Sequence, residues 1–317
     1  PETPDTPETP ETPDTPETPE TPETPDTPET PETPDTTERV SGICIIGDVE
    51  LGETEIVVRD AVEETDVSGI TVEGAAGDGL IAVGTRDLEV RDSTFRNNAG
   101  YGAASFATAG TEETPGTTFQ GNTAADNAEA GFYVGDSPEA HAQVSGNESR
   151  GNELGLFFRS ASNGEATNNI ADGNCLGVLV LADAPGPATD WTLRDNEVTE
   201  NNKACDVVVP LSGGGIALVG AQDFVVSANT VTGNQSSAES LLEGGIIVRS
   251  GLTPEEVTPP EAEPPTEPAP PVTEPSGTVS GNTVLDNEPD DLVHDGTGEV
   301  TFEDNRCETS DPEGLCD

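Results

Sequence analysis

The stretch GNTAADN at residues 121–127 decides the fold, because its skeleton of an Asn, four residues and a second Asn keeps returning. Asn122/Asn127, Asn147/Asn152, Asn169/Asn174, Asn196/Asn201, Asn229/Asn234 and Asn282/Asn287 all fit it; Ser93/Asn98 precedes them as a degenerate copy and Asn305 follows as a terminal one. Successive first-column Asn residues lie 25, 22, 27, 33, 53 and 23 residues apart. The shortest interval is about one turn of a parallel β-helix, too short for most helical repeats except the leucine-rich kind. The longer intervals read as insertions into a constant coil.

Working outward from the Asn pair, each unit continues with Gly and an apolar strand: GAASF from Gly102, GFYVGDS from Gly131, GLFFRSAS from Gly155, GVLVLADA from Gly177, GIALVGAQ from Gly215 and GIIVRSG from Gly245. Another short strand precedes each pair, as in LEVRDS, TTFQGN, AQVSGN, WTLRDN, FVVSAN and GTVSGN. Such strands cannot close a core singly, but stacked coils can hydrogen-bond at ~4.8 Å and bury one continuous column. Helical periodicity is absent and aromatic residues make up only 3%, which disfavours a bundle or an α/β fold. The corner Asn is expected to occupy the left-handed backbone region and to bond the Asn above and below it. This makes all twelve paired Asn residues scaffold. It also makes the sequons at Asn147 and Asn234 false ones.

Two segments cannot bury apolar surface. Residues 1–36 are P-[ED]-T repeated twelve times, and residues 252–276 are LTPEEVTPPEAEPPTEPAPPVTEPS. Pro at every third position matches the three-residue turn of polyproline II, which predicts an extended or disordered stalk reaching roughly 110 Å. The second segment reads as a disordered insertion interrupting a domain at 37–317. Formal charge is −52; with the 12 and 6 acids of these segments set aside, the remainder still carries 45 acids against 11 bases. Nucleic acid is thereby excluded as a partner. No run of ~18 apolar residues is present to insert in a membrane. No Met occurs, even at position 1, so the chain is expected to be a processed or excised piece. Five Cys in an acidic chain with a Thr/Pro stalk point to an oxidising, secreted or cell-surface setting.

The Asn-pair and Gly-strand units, with EAGFYVGDSPEA at 129–140, GNCLGVLVLADAPGPATD at 173–190 and DNRCETSDPEGLCD at 304–317, resemble secreted bacterial right-handed parallel β-helix repeat proteins of the pectin-lyase-like fold. The resemblance implies a solenoid of about 8–10 coils and is specific for fold, not activity. Proteins of this kind open with a capping segment, and here the P-[ED]-T stalk stands in its place. On this scheme Cys175 and Cys205 lie at one corner in successive coils and are expected to pair. Cys307 and Cys316 would close the C-terminal turn, leaving Cys44 over.

Alternation along the Gly strands sends Ala104, Tyr133, Phe157, Leu179, Ala217, Ile247 and Val293 outward, predicting an exposed apolar stripe. Tyr133, Phe157 and Leu179 are candidate substrate-binding residues, the two aromatics by stacking on sugar rings. Asp136, Arg159 and Asp183 just beyond are candidate catalytic groups, as are His294 and Asp295 in EPDDLVHDG. Alternatively the Pro-rich insert, a loop such as 107–116 or a second chain covers the stripe. For EPDDLVHDG the separate alternative is that the imidazole of His294 points into the last coils and Asp295 makes a turn. The His-Gly and Arg-x-Lys signatures of polygalacturonase-like enzymes are absent, and so is the nine-residue calcium repeat; no cofactor or dedicated metal site is expected, calcium binding being incidental. Three functions stay open: a non-catalytic surface module contacting polysaccharide or another surface partner; a polysaccharide lyase, epimerase or glycoside hydrolase using a groove on the Gly-strand face; and a structural spacer.

Overall fold

Each Asn pair cuts a coil into three strands, and in a computed structural model these stack into three parallel sheets. The structure describes residues 40–52, 55–183, 186–206, 209–253, 256 and 272–316. The stalk expected at 1–36, and most of the insertion expected at 252–276, lie outside the described residues. Ser276, placed in that insertion by the sequence reading, instead opens the strand Ser276–Ser280.

Among the described residues, the strands before the first Asn column, such as Trp191–Arg194, form a nine-stranded sheet. Those between the two columns, such as Glu197–Thr199, form an eight-stranded sheet. The Gly strands, such as Gly214–Val219, form a ten-stranded sheet. Pairing between coils is parallel throughout these three sheets, as in Leu156↔Val178 and Val178↔Ile216. The fold is an all-β right-handed parallel β-helix. Alternate residues point inward and form one apolar column that includes Phe95, Phe119, Phe132, Phe158, Leu193 and Val226. Phe158 and Trp191 stack at a centroid distance of 3.9 Å, and Trp191 Nε1 satisfies its one donor on the Ala161 carbonyl at 2.7 Å.

The two Asn columns are buried, and their hydrogen bonding is complete. Asn147 shows the unit: its backbone N–H and one Nδ2 hydrogen both donate to Asn169 Oδ1 at 3.0 Å, and the other Nδ2 hydrogen donates to the Phe119 carbonyl at 2.9 Å. The first column runs from Ser93 N through Asn122, Asn147, Asn169, Asn196, Asn229 and Asn282 to Asn305. The second runs from Asn98 through Asn127, Asn152, Asn174, Asn201, Asn234 and Asn287. Both sequon asparagines, Asn147 and Asn234, have their amides committed within the ladder.

The ladder asparagines themselves do not adopt left-handed backbone, contrary to the expectation from sequence. The residue before each one does: Asp126 at φ 53°, Asn168 at 54°, Asp195 at 56° and Gly121, Gly151 and Gly173 near 64°. That residue takes the strain of the corner, so the Asn can turn inward with ordinary φ. The Gly column has a different cause. A Cβ at Gly155 would fall 2.9 Å from Ala171 Cβ and 3.0 Å from Asn174 Nδ2, because the backbone grazes the ladder as it leaves the corner.

At the C-terminal end the second column stops on a carboxylate. Asn287 N and Nδ2 donate to Asp291 Oδ1 at 3.1 and 3.0 Å, while Asp291 Oδ2 accepts from Glu308 N at 2.9 Å and Thr309 N at 3.3 Å. A neighbouring disulfide, Cys307–Cys316, closes the final turn. Asn169→Ala strands several buried partners at once, and chemical denaturation is expected to show a loss of about 3–5 kcal/mol. Asp291→Asn, nearly isosteric, turns an N–H donor toward Glu308 N and Thr309 N. We expect it to cost about 2 kcal/mol and to open residues 288–316 first to limited proteolysis.

Candidate functional site

Strand register places Ala104, Tyr133, Phe157, Leu179, Ala217, Ile247 and Val293 in one outward column. The column is nevertheless not an exposed stripe. Tyr133 is 1% exposed and Leu179 6%, and Ala104, Ala217 and Ile247 are buried as well. Two loops that leave the second Asn column, described at 202–206 and 209–213 after Asn201 and at 235–243 after Asn234, fold back over the sheet. Leu211 and Leu242 pack on Leu176, Leu179, Ala217 and Ile247 as a second apolar cluster outside the main core. Loop 107–116 is not part of this cover: Ala109 N bonds the Thr85 carbonyl and Gly110 N the Glu139 carbonyl, off the Gly-strand face.

The cover is held in three ways. Cys205–Asp206 pairs antiparallel with Pro210–Leu211, and Leu241 N donates to the Pro210 carbonyl at 2.9 Å. Ser212 stitches the loops together, accepting from Ser237 N at 3.0 Å and donating its own N–H to Ser240 Oγ at 2.9 Å. The disulfide Cys175–Cys205 fastens the first loop to the coil beneath.

Beside this cover remains a cavity of ≈ 410 Å³ whose walls include Tyr101, Phe106, Phe157, Leu179, Val209 and Leu252. Tyr133 cannot offer a ring face to a ligand, because Tyr101, Phe106 and Phe157 crowd it at centroid distances of 4.8, 4.6 and 5.2 Å. The rings of Tyr101, Phe106 and Phe157 are half-buried and line the cavity. Sequence reasoning missed Tyr101 and Phe106; Tyr101 precedes Gly102, and Phe106 is the last residue of GAASF and of the strand Ala103–Phe106.

One end of the cavity is polar. Arg159 Nε donates to Asp183 Oδ2 at 3.0 Å, and Arg159 Nη1 faces Asp136 Oδ1 at 3.8 Å. Asp183 Oδ1 also accepts from Ser160 Oγ at 2.9 Å. Asp136 Oδ1 is buried and has no hydrogen-bond partner among the described residues. Burial raises the Asp136 carboxyl, Arg159 pulls it back down and Asp183 pushes it up again. Burial, reinforced by Asp136, drives the Tyr133 hydroxyl far above its usual range, so it stays protonated. The structure thus brings Asp136, Arg159 and Asp183 together.

Glu153 lines the other end, where burial and then Glu129 push its carboxyl up to about 7, with Lys203 opposing. Six residues of extended strand separate Glu153 from Arg159, about 20 Å.

His294 and Asp295 do not join this site. His294 shares the inward register of Val248, bonds the Thr297 carbonyl through Nε2 at 2.9 Å and lies 5.6 Å from the Phe302 ring. Asp295 holds a turn, accepting from Ser250 N at 2.8 Å and Thr297 N at 2.9 Å. Burial raises its carboxyl, but the bonds from Thr297 and Ser250 outweigh this and hold it below the ordinary value. Among the described residues no group of three His, Cys, Asp or Glu side chains is arranged to hold a metal ion.

The raised Glu153 carboxyl has a sign that can be tested. Its folded value lies above the ordinary 4.5, so its contribution is fully present below 4.5 and is lost as pH rises to about 7. Glu153→Gln removes that loss. Denaturation midpoints of parent and variant are expected to diverge in favour of the variant as pH rises through this window, then to run parallel above it.

Residues 79–255 match the family described as Right handed beta helix region. Among solved structures, a double mutant of the periplasmic alginate epimerase AlgG is similar at 13% identity, with 77% of this chain and 49% of that chain covered and a TM-score of 0.52. The A-module of the mannuronan C-5 epimerase AlgE4 of Azotobacter vinelandii gives 17% identity, coverage of 84% and 79% and a TM-score of 0.49. The DFA-IIIase of Arthrobacter chlorophenolicus A6 without its lid gives 11% identity, coverage of 84% and 63% and a TM-score of 0.47. This chain spans about half the length of the AlgG structure, and at these identities the likeness is one of fold. No curated protein sequence matches it. On the match that spans more than half its length, the chain belongs to the right-handed β-helix family.

Proposed function

We propose that this chain is a secreted or cell-surface β-helix module that takes a short, neutral saccharide unit into the covered cavity on its Gly-strand face, without catalysis. The observation that carries the reading is the cavity itself. Its apolar wall presents three half-buried aromatic rings, and its polar end is lined by Arg159 and Asp183, with the Asp136 carboxylate 3.8 Å from Arg159. Aromatic faces with a few converging polar groups suit a ring that is apolar on its C–H face and hydroxylated at its edge. The volume lies within the range of small-ligand pockets.

The same features limit the ligand. Leu211 and Leu242 occupy the face an extended polysaccharide would follow, so a chain end or short unit fits and a continuous strand does not. Asp136 and Asp183 outnumber Arg159, which disfavours uronates by like-charge repulsion. A backbone span of about 20 Å between Glu153 and Arg159 sets Glu153 apart from Asp136 and Asp183, beyond the ~5–9.5 Å that glycosidase carboxylate pairs need. Secretion is supported by two disulfides and the acidic surface.

One observation favours a second reading. Glu153, poised near neutrality in the cavity wall, has the character of a general acid or base in an epimerase or lyase.

Binding to a panel of neutral and uronate oligosaccharides, measured by calorimetry with product analysis in parallel, tests both. The account expects neutral ligands to bind and Phe157→Ala to weaken them by about 1–2 kcal/mol, with no new product. A product that disappears in Glu153→Gln establishes the catalytic reading instead. Failure of every glycan to bind removes saccharides as the ligand.

A further inference from the structure

The two ends of the solenoid are finished differently. At the C-terminal end the ladder stops on Asp291 and a disulfide closes the turn. Among the described residues, at the N-terminal end the strands Ile43–Ile46, Val62–Ser68 and Thr71–Glu73 are the outermost members of the three sheets, each paired along one edge. Ile43, Ile45, Val67, Ile70 and Val72 pack against the core but remain only partly buried. Of the six large hydrophobic residues exposed among the described residues, Val40, Ile46, Leu51 and Val57 lie in this first coil. Unpaired edges beside exposed apolar side chains are the standard template for adding another strand.

The sequence that precedes the coil is poor in strand-forming and core-filling chemistry. Residues 1–36 repeat Pro, a carboxylate and Thr, followed by Thr37, Glu38 and Arg39. Every third position lacks a backbone N–H, and no aliphatic or aromatic side chain is present to fill the open core.

In Ile43–Ile46 the N–H groups of Ile43 and Gly47 bond the next coil, so those of the alternate residues Cys44 and Ile46 face the open edge. Cys44 is exposed and is the one thiol outside the two disulfides. We propose that a second copy of this chain covers the end by two-fold, head-to-head stacking. The Ile43–Ile46 strands pair antiparallel about an axis at Cys44, so the two Cys44 side chains can join in a disulfide.

An isologous contact of this kind needs only one self-complementary surface. Facing residues of a hydrogen-bonded antiparallel pair have Cα atoms ~5.5 Å apart, within the ~4.4–6.8 Å of a disulfide. The covalent step requires a low-molecular-weight disulfide as oxidant. One Cys44 thiolate attacks it to form a mixed disulfide and release a thiol. The second Cys44 thiolate displaces the remaining half, so the oxidant gains two electrons and two protons and one protein S–S bond forms. Net charge opposes the contact. The ion pairs Arg86–Glu63 and Arg96–Glu73 offset part of it, and salt screens the rest.

The full chain is examined by sedimentation velocity, and by non-reducing gel and peptide mass spectrometry after exposure to oxidised glutathione. The expected result is a dimer that strengthens with concentration and with salt. Oxidation should yield a reducible species of twice 32.6 kDa carrying a Cys44–Cys44 peptide. Cys44→Ser should abolish the covalent species while keeping the sedimenting dimer. Ile46→Glu, at an exposed position, should weaken association roughly tenfold by putting a charge in place of an apolar side chain within the pairing strand, whereas Val225→Glu, exposed elsewhere, should not. A monomer under every condition, a Cys44–glutathione adduct without dimer, or a dimer indifferent to Ile46→Glu overturns the proposal.

Discussion

Everything in this molecule depends on the side-chain amide of a buried asparagine making all its hydrogen bonds. In the repeating unit Oδ1 accepts two N–H groups from the neighbouring coil, and Nδ2 donates once along the column and once to a strand carbonyl; at Asn152 the first of these Nδ2 bonds goes to Ser149 Oγ instead. A buried amide left partly unsatisfied would cost more than the ladder contributes, so the arrangement works only if coil follows coil in register. Insertions are therefore confined to places where the ladder is not interrupted. The loops after Asn201 and Asn234 leave from the second column and return to the Gly strand with the register kept.

That confinement is what creates a site. A solenoid face alone is a flat sheet of alternating side chains with no depth. Two loops released at successive corners lie side by side, and apolar residues in both fold onto the same outward column. The cavity is the part of the face they leave uncovered, with Arg159, Asp136 and Asp183 at the strand ends where the chain turns away. Fold and candidate site thus have one origin, since the ladder decides both where loops can leave and where they land.

The fold was legible because it is periodic. Asn122 to Asn305 state the coil length directly, and alternation from each Gly gives the side of the sheet. The corner conformation was misread: the preceding residue carries the left-handed backbone, in most corners an Asp, Gly or Asn visible in the sequence as D-N, G-N and N-N pairs, with Glu200 and Ala228 as the exceptions. The meeting of Asp136, Arg159 and Asp183 followed from register, but the exposure of Tyr133 and Leu179 did not, because exposure depends on what the insertions do. VVVPL at 207–211 and LL at 241–242 were the signal that those loops carry apolar residues needing a surface to cover. Asp291 was legible only as one acid among several beside His294. That it ends the ladder depends on where the Glu308 and Thr309 amides arrive, which no local pattern states.

Native-state hydrogen exchange of the ladder backbone amides tests the central claim most directly. The account predicts that the N–H groups of Asn147, Asn169, Asn196 and Asn229, each donated to the next Asn Oδ1, exchange among the slowest in the molecule, with protection falling toward the first coil. Exchange at these positions as fast as at the exposed corners, or protection greatest in the first coil, would contradict it.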